Sequence, residues 1–173
     1  MSYQNLGQLV EENSQKHGDK IAYQIKRGLR TERLTFGEVH SLALKTATFL
    51  QKQGLKKGDK VAIWASNMPE YPILYFGCWL GGFVAVPIDV RTTEDTLRVF
   101  LEKARCLVGF KGRYVPGEFP KDLVDKRFVL EDLVSLVDGL SEARDLADAK
   151  PEDLAEIAFT SGTTGTPKGV MLT

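Results

Sequence analysis

Thr160, Ser161, Gly162, Thr163, Thr164, Gly165, Thr166, Pro167, Lys168 and Gly169 gather glycine, hydroxyl and ammonium groups into one short run between two apolar segments. Glycine lets the backbone turn so that successive N–H groups converge on a single anion. The hydroxyls of Ser161, Thr163, Thr164 and Thr166 add neutral donors, and Lys168 adds a full positive charge. That inventory suits a polyphosphate. The widespread phosphate loop with G-x-x-x-x-G-K-[ST] spacing does not fit it. With Lys168 aligned on that lysine, Gly162 takes the first glycine position, but Pro167 falls on the second and Gly169 on the metal-binding hydroxyl. Proline has no N–H to give a phosphate, and glycine has no side chain for a magnesium ion.

The run must be held by its neighbours. Residues 154–159 and 170–172 read as apolar strands on either side of it. Upstream, strand and helix alternate. Residues 61–65 are apolar and strand-like, and Asn67, Pro69 and Glu70 open a helix. Ile73, Leu74, Tyr75, Phe76, Cys78, Trp79 and Leu80 cover all sides of that helix, which predicts burial between layers. Its aromatic set reads as core in preference to an acyl pocket. Gly81 and Gly82 stop it, and 83–88 is a short apolar strand of the kind found inside a parallel sheet. Thr92 or Thr93 caps a further helix with Leu97, Phe100, Leu101 and Ala104 on one face, and 106–110 is the next strand, opened by Cys106. Together these predict an α/β fold, a mostly parallel sheet flanked by helices, with the glycine loop projecting from one edge.

Flanking segments are simpler. Asn5 and Gln8 form an N-cap pair for a helix that Gly18 ends, with His17 serving the helix dipole. Residues 21–25 and 33–35 predict a hairpin around Gly28, and Thr35 with Glu38 is a capping box for a helix running to Gly54. His40 in that helix is assigned no chemistry. A strand at 127–130 and a short helix carrying Leu133 and Val137 follow, then a charged surface connection, 141–153, whose Glu142, Asp145 and Asp148 read as solvated.

Composition narrows the field. Lys plus Arg and Asp plus Glu both total 23, so neither net charge nor a basic cluster points to nucleic acid. The N-terminus lacks a basic flank and an apolar core for a signal peptide, and the apolar stretch 71–87 is interrupted by Pro72, Gly77, Gly81 and Gly82, so no transmembrane segment is expected. Cys78 and Cys106 both sit in apolar patterns and read as core residues in a reducing, cytoplasmic protein.

The run from Phe159 to Val170 resembles the signature loop of the adenylate-forming (AMP-binding) superfamily, and two weaker motifs agree in order: Leu34-Thr35-Phe36-Gly37-Glu38-Val39 and Gly81-Gly82-Phe83-Val84-Ala85-Val86-Pro87-Ile88-Asp89. The neighbours Val170-Met171-Leu172-Thr173 are most similar to fatty acyl-CoA synthetases of the long-chain type. The resemblance implies that a fatty or other carboxylic acid reacts with ATP, accompanied by Mg²⁺, to give an acyl-adenylate and pyrophosphate, and that CoA then accepts the acyl group. It implies phosphate-contacting roles for Thr160, Ser161, Gly162, Thr163, Thr164, Gly165 and Lys168, and no catalytic or metal-ligating residue in this chain. The family's Tyr-Gly-x-Thr-Glu segment, ribose-binding aspartate, hinge and C-terminal lysine do not occur in the sequence. Residues 1–173 are therefore expected to form the N-terminal α/β subdomain of a longer ligase, lacking the C-terminal domain, inactive alone and able to self-associate. A carboxylate at Thr173 is expected near the loop. A standalone phosphate- or nucleotide-binding module, and a non-catalytic interaction domain with a vestigial loop, are the alternative readings.

Overall fold

The computed structural model describes residues 4–144, 146–160 and 167–173. Helix α1 (Leu6–His17) leads to a hairpin of β1 (Ile21–Arg27) and β2 (Arg30–Thr35), then α2 (Phe36–Lys52). The α/β body follows as β3 (Lys60–Trp64), α3 (Glu70–Leu80), β4 (Val84–Ile88), α4 (Glu94–Ala104), β5 (Val108–Lys111), β6 (Lys126–Val129) and α5 (Leu133–Val137). It closes with β7 (Glu156–Thr160) and β8 (Lys168–Leu172). Strands β3 to β8 form one sheet in the order β6-β5-β3-β4-β7-β8. All of its pairings are parallel except the last, β7 with β8.

The central strands are buried on both faces, as their unbroken apolar runs require. Val61 and Ile63 of β3, Ala85 of β4, and Val108 and Phe110 of β5 face a core shared with α2, α3 and α5. Ala62 and Trp64, Val86 and Ile88 face the opposite core, with Leu97, Phe100, Leu101 and Ala104 of α4. The period of two is therefore used on both sides. A smaller cluster of Val10, Ala43, Leu44 and Leu80 seats α1 on α2 and α3.

Local chemistry sets several boundaries. Asn5 accepts a hydrogen bond from the Gln8 N–H, as expected, but Gly18 ends α1 in a right-handed conformation. Both hairpin strands are longer than the sequence suggests, because Gly28 at φ +61° lets Arg27 and Arg30 pair at the turn. The capping box is complete: the Glu38 N–H donates to Thr35 Oγ1 at 3.2 Å and the Thr35 N–H donates to Glu38 Oε2 at 2.8 Å. Thr35→Ala should cost about 1 kcal/mol of stability, read from urea unfolding. Thr93, not Thr92, caps α4. Cys106 is buried ahead of β5, which starts at Val108.

One expectation needs correction. Helix α3 is not buried all round: Ile73, Leu74, Cys78 and Leu80 are buried, whereas Tyr71, Tyr75 and Trp79 form a half-buried stripe. On the 141–153 connection Glu142 and Asp148 are exposed, as expected, and the segment is also fastened to the body. Glu142 accepts from Ser41 Oγ at 2.6 Å, Thr48 Oγ1 donates to the Ser141 carbonyl at 2.9 Å, and Lys57 Nζ donates to the Asp148 carbonyl at 2.7 Å. These bonds fasten the long crossover from one side of the sheet to the other. Asp145 lies outside the described residues.

His40 is half-buried in α2, and burial lowers its pKa from 6.5 more than the nearby Glu11 and Glu142 raise it. The unfolded chain thus binds the proton more readily, so stability falls as pH drops through about 6.5. Urea midpoints between about pH 7.5 and 5.5 should show this slope, and His40→Gln should flatten it.

Candidate phosphate site at the carboxyl ends of the strands

The β7–β8 hairpin carries the glycine loop. Its ladder pairs Glu156 with Leu172, Ala158 with Val170 and Thr160 with Lys168. Thr160 and Lys168 therefore stand opposite each other where the loop leaves and rejoins the sheet. Direct partners in an antiparallel pair share a face. Ile157 and Phe159 belong to the α4-side core, so Thr160 and Lys168 lie on the other, α3-side face. Of the residues assigned to phosphate from sequence, Thr160 and Lys168 are brought together; Ser161, Gly162, Thr163, Thr164 and Gly165 lie outside the described residues. The expected closeness of Thr173 to the loop is wrong. Because β8 runs back antiparallel, Thr173 sits at the far end of the strand, where the Leu172 carbonyl accepts from the Ala155 N–H at 2.8 Å.

Strand β7 is joined to the sheet by backbone and by side chains. Its parallel ladder with β4 contains the pair Ala85 and Glu156, supported by the Ala85 N–H donating to the Ala155 carbonyl at 3.0 Å. Side chains add to this on both faces. On one, the rings of Phe100 and Phe159 stack with centroids 4.3 Å apart and planes 7° from parallel. On the other, the Tyr75 hydroxyl lies beside the Glu156 carboxylate and interacts with it, and Tyr71 stacks on Tyr75 at 5.4 Å. Burial raises the Glu156 pKa above its ordinary value, and the Tyr75 hydroxyl partly offsets this. Burial also pushes the Tyr71 phenol up to about 12, with Glu156 adding to the shift, and the Tyr75 phenol higher still. Both phenols therefore remain protonated donors at neutral pH. Finally, Lys103 Nζ in the last turn of α4 donates to the Pro167 carbonyl at 2.7 Å.

Beside the loop, an open cleft lies across the carboxyl ends of β3, β4 and β7, lined by Ser66, Asn67, Tyr71, Asp89, Arg91 and Ala158 among others. Ligands in open α/β sheets bind at this end of the strands. Arg91 holds Asp89 ionised: its side chain and its backbone N–H both hydrogen-bond the carboxylate, lowering that pKa to about 2. Trp64 Nε1 donates to the Asp89 carbonyl at 3.0 Å, tying the cleft rim to the core. The sequence had singled out Asp89 only as the end of an architectural motif. Tyr75 and Phe100 were readable only as packing residues of their helices, and Lys103 and Glu156 carried no signal, because their relation to the loop exists only across the sheet.

Neither cysteine offers a nucleophile. Burial pushes the Cys106 thiol up to about 12 and the Cys78 thiol higher. Among the described residues, no group of three or more His, Cys, Asp or Glu side chains could hold a metal ion, and no helix is long and apolar enough to cross a membrane.

Comparison with known proteins decides the family. The model of the family described as AMP-binding enzyme matches residues 10–173. This chain belongs to that family. Among AMP-binding relatives, the crotonobetaine/carnitine–CoA ligase of Escherichia coli O127:H6 is 30% identical over 189 residues, covering 98% of this chain and 36% of the ligase. The chain thus spans about a third of the length of the curated relatives it matches. A fatty acyl CoA synthetase from Mycobacterium tuberculosis shares the fold, with a TM-score of 0.85 at 24% identity over 98% of this chain and 34% of that one. The Klebsiella oxytoca NpsA N-terminal subdomain, solved in complex with 3-hydroxybenzoyl-AMSN, gives 0.80 at 25% identity, over 98% and 41% of the two chains. The fold is that of the N-terminal part of adenylate-forming enzymes.

Proposed function

We propose that this chain is the N-terminal α/β subdomain of an ATP-dependent acyl-CoA ligase and supplies its phosphate loop. The observation that carries this reading is the meeting of Thr160 and Lys168 at the mouth of the glycine loop, at the carboxyl end of a parallel sheet in a family-matched chain. The chemical problem is charge. A carboxylate must attack one phosphate while an anionic leaving group departs. The Lys168 ammonium, the Thr160 hydroxyl and the groups of Ser161, Gly162, Thr163, Thr164 and Gly165 would hold the outer phosphates of ATP and offset charge developing on pyrophosphate. Mg²⁺ would enter with the nucleotide as part of the substrate; the described residues of this chain do not cage it.

A fatty acid as the acyl substrate and CoA as the acceptor follow from the resemblance and from the relatives named as CoA ligases. A cytoplasmic setting accords with two free, buried cysteines. Adenine, ribose and acyl contacts belong to the remainder of the ligase, so the 173-residue chain by itself should not catalyse adenylation. Its ATP affinity should be about millimolar or weaker. Two measurements test this: carboxylate-dependent ATP–pyrophosphate exchange and a calorimetric titration with Mg-ATP. Exchange by the purified chain, or micromolar affinity, would overturn the subdomain reading.

Val170, Met171 and Leu172 are exposed on β8, with Met171 at 71%. An apolar surface of this kind supports self-association of the isolated chain. Sedimentation at rising concentration should reveal it; a strictly monomeric profile would count against it.

A further inference from the structure

We propose that one face of α4, carrying Phe100 and Lys103, is the positioning element of the phosphate loop, with Lys103 holding the loop's return limb at the Pro167 carbonyl. The inference rests on the loop's being a phosphate site. Phe100 and Lys103 are one helical turn apart, so they project from the same side of α4. Phe100 stacks on Phe159, one residue before the outgoing limb ends at Thr160. Lys103 reaches the other limb, one residue before β8 begins at Lys168. A single helix face thus grips both ends of the loop.

The helix contacts act at the end of β7 that its register pair with β4 does not reach. Strand β7 joins the parallel sheet through the pair Ala85 and Glu156, at the end remote from the loop. Toward the loop, the ladder continues only to β8, whose residues are all exposed. Glycine at 169 fits the same arrangement. A side chain there would meet Ile157 Cγ2 at 3.0 Å and the Phe159 ring at 3.4 Å, crowding the stack that Phe100 completes.

Charge makes the choice of lysine informative. Lys103 approaches from the α4 side and Lys168 stands on the α3 side, so the two ammonium groups lie on opposite faces of the strand pair where it leads into the loop. A carbonyl held by an ammonium has a fixed direction, and the Lys168 N–H follows that same peptide. Losing the bond should loosen the peptide that sets Lys168, while leaving the buried core untouched.

The test compares the intact ligase with its Lys103→Met, Lys103→Arg and Lys168→Ala variants. Backbone amide exchange at Lys168 and Gly169 is measured by NMR, together with inorganic tripolyphosphate titrations and thermal midpoints. Lys103→Met should speed exchange at those two amides and weaken tripolyphosphate binding about fivefold to tenfold, below the full value of a charge-assisted bond because Lys103 acts on the ligand only through the loop. Lys103→Arg should restore both, since it keeps the charge and the reach. Thermal midpoints should stay level, which separates positioning from general destabilisation. Unchanged exchange and binding in Lys103→Met, with Lys168→Ala still weakening binding, would overturn this inference and leave the phosphate site standing. No tripolyphosphate binding by the unmodified intact ligase, or binding indifferent to Lys168→Ala, would overturn the phosphate reading itself, and the inference would fall with it.

Discussion

Lys168→Ala in the intact ligase should lower kcat/KM for carboxylate-dependent ATP–pyrophosphate exchange by about 100-fold or more, the usual loss for a group stabilising transition-state charge. The side chain is exposed on an edge strand, so the fold should not notice its removal. Unfolding midpoints of the variant and the parent should coincide. Lys168→Arg should recover only part of the rate, since a planar fork does not replace a compact ammonium beside a phosphate. Thr160→Ala should lose less, because a hydroxyl supplies one neutral hydrogen bond where the lysine supplies a full charge. A loss below about threefold for Lys168→Ala would remove this residue from the phosphate site.

Gly77→Ala should destabilise the 173-residue chain by about 1–3 kcal/mol, the cost of overpacking. Helix propensity alone argues the reverse, since alanine is favoured over glycine inside a helix by about 1 kcal/mol. Packing decides the sign. A β-carbon at Gly77 would lie 2.7 Å from both Cβ and Cγ2 of Thr46, and 3.0 Å from the Ala43 carbonyl oxygen. Thr46 cannot swing away: it is fully buried, and its hydroxyl donates to the Leu42 carbonyl at 2.8 Å. Gly77 is therefore a point of close approach between α3 and α2. Urea unfolding of Gly77→Ala measures the loss. Adding Thr46→Ser, which removes the crowding methyl, should return part of it. A more stable Gly77→Ala would mean that the two helices are farther apart than this.

The contrast with Gly77 explains what was legible beforehand. Local signals survived well. Asn5, Thr35 with Glu38, and Thr93 each cap a helix through side chains only a few residues from the N–H groups they bind. The apolar runs at β3, β4 and β5 announced strands buried on both faces, and alternation with helices announced the parallel sheet. Features that depend on distant partners were hidden. Nothing near Tyr75 in sequence says that Glu156 will stand beside it, and nothing near Lys103 points to Pro167. The antiparallel return of β8, which carries Thr173 away from the loop, follows from a hairpin that a motif alone does not define. At the candidate site the residue types were readable, whereas the supports were not.

The distribution of burial along the chain has a consequence for synthesis. The last buried hydrophobic residue among those described is Val137, and the strands and helices up to it supply the buried residues of both main cores, to which Ile157 and Phe159 add only a partly buried cover. Strand β3 can pair with β4 and then β5, and β5 with β6, each time using a neighbour already made. A chain emerging from the ribosome can therefore settle its core before the glycine loop has left the exit tunnel. The β7–β8 hairpin then docks late onto a finished surface, against Ala85, Tyr75 and Phe100. Changes in the loop should alter ligand binding without altering the yield of folded protein, so the two properties can vary separately.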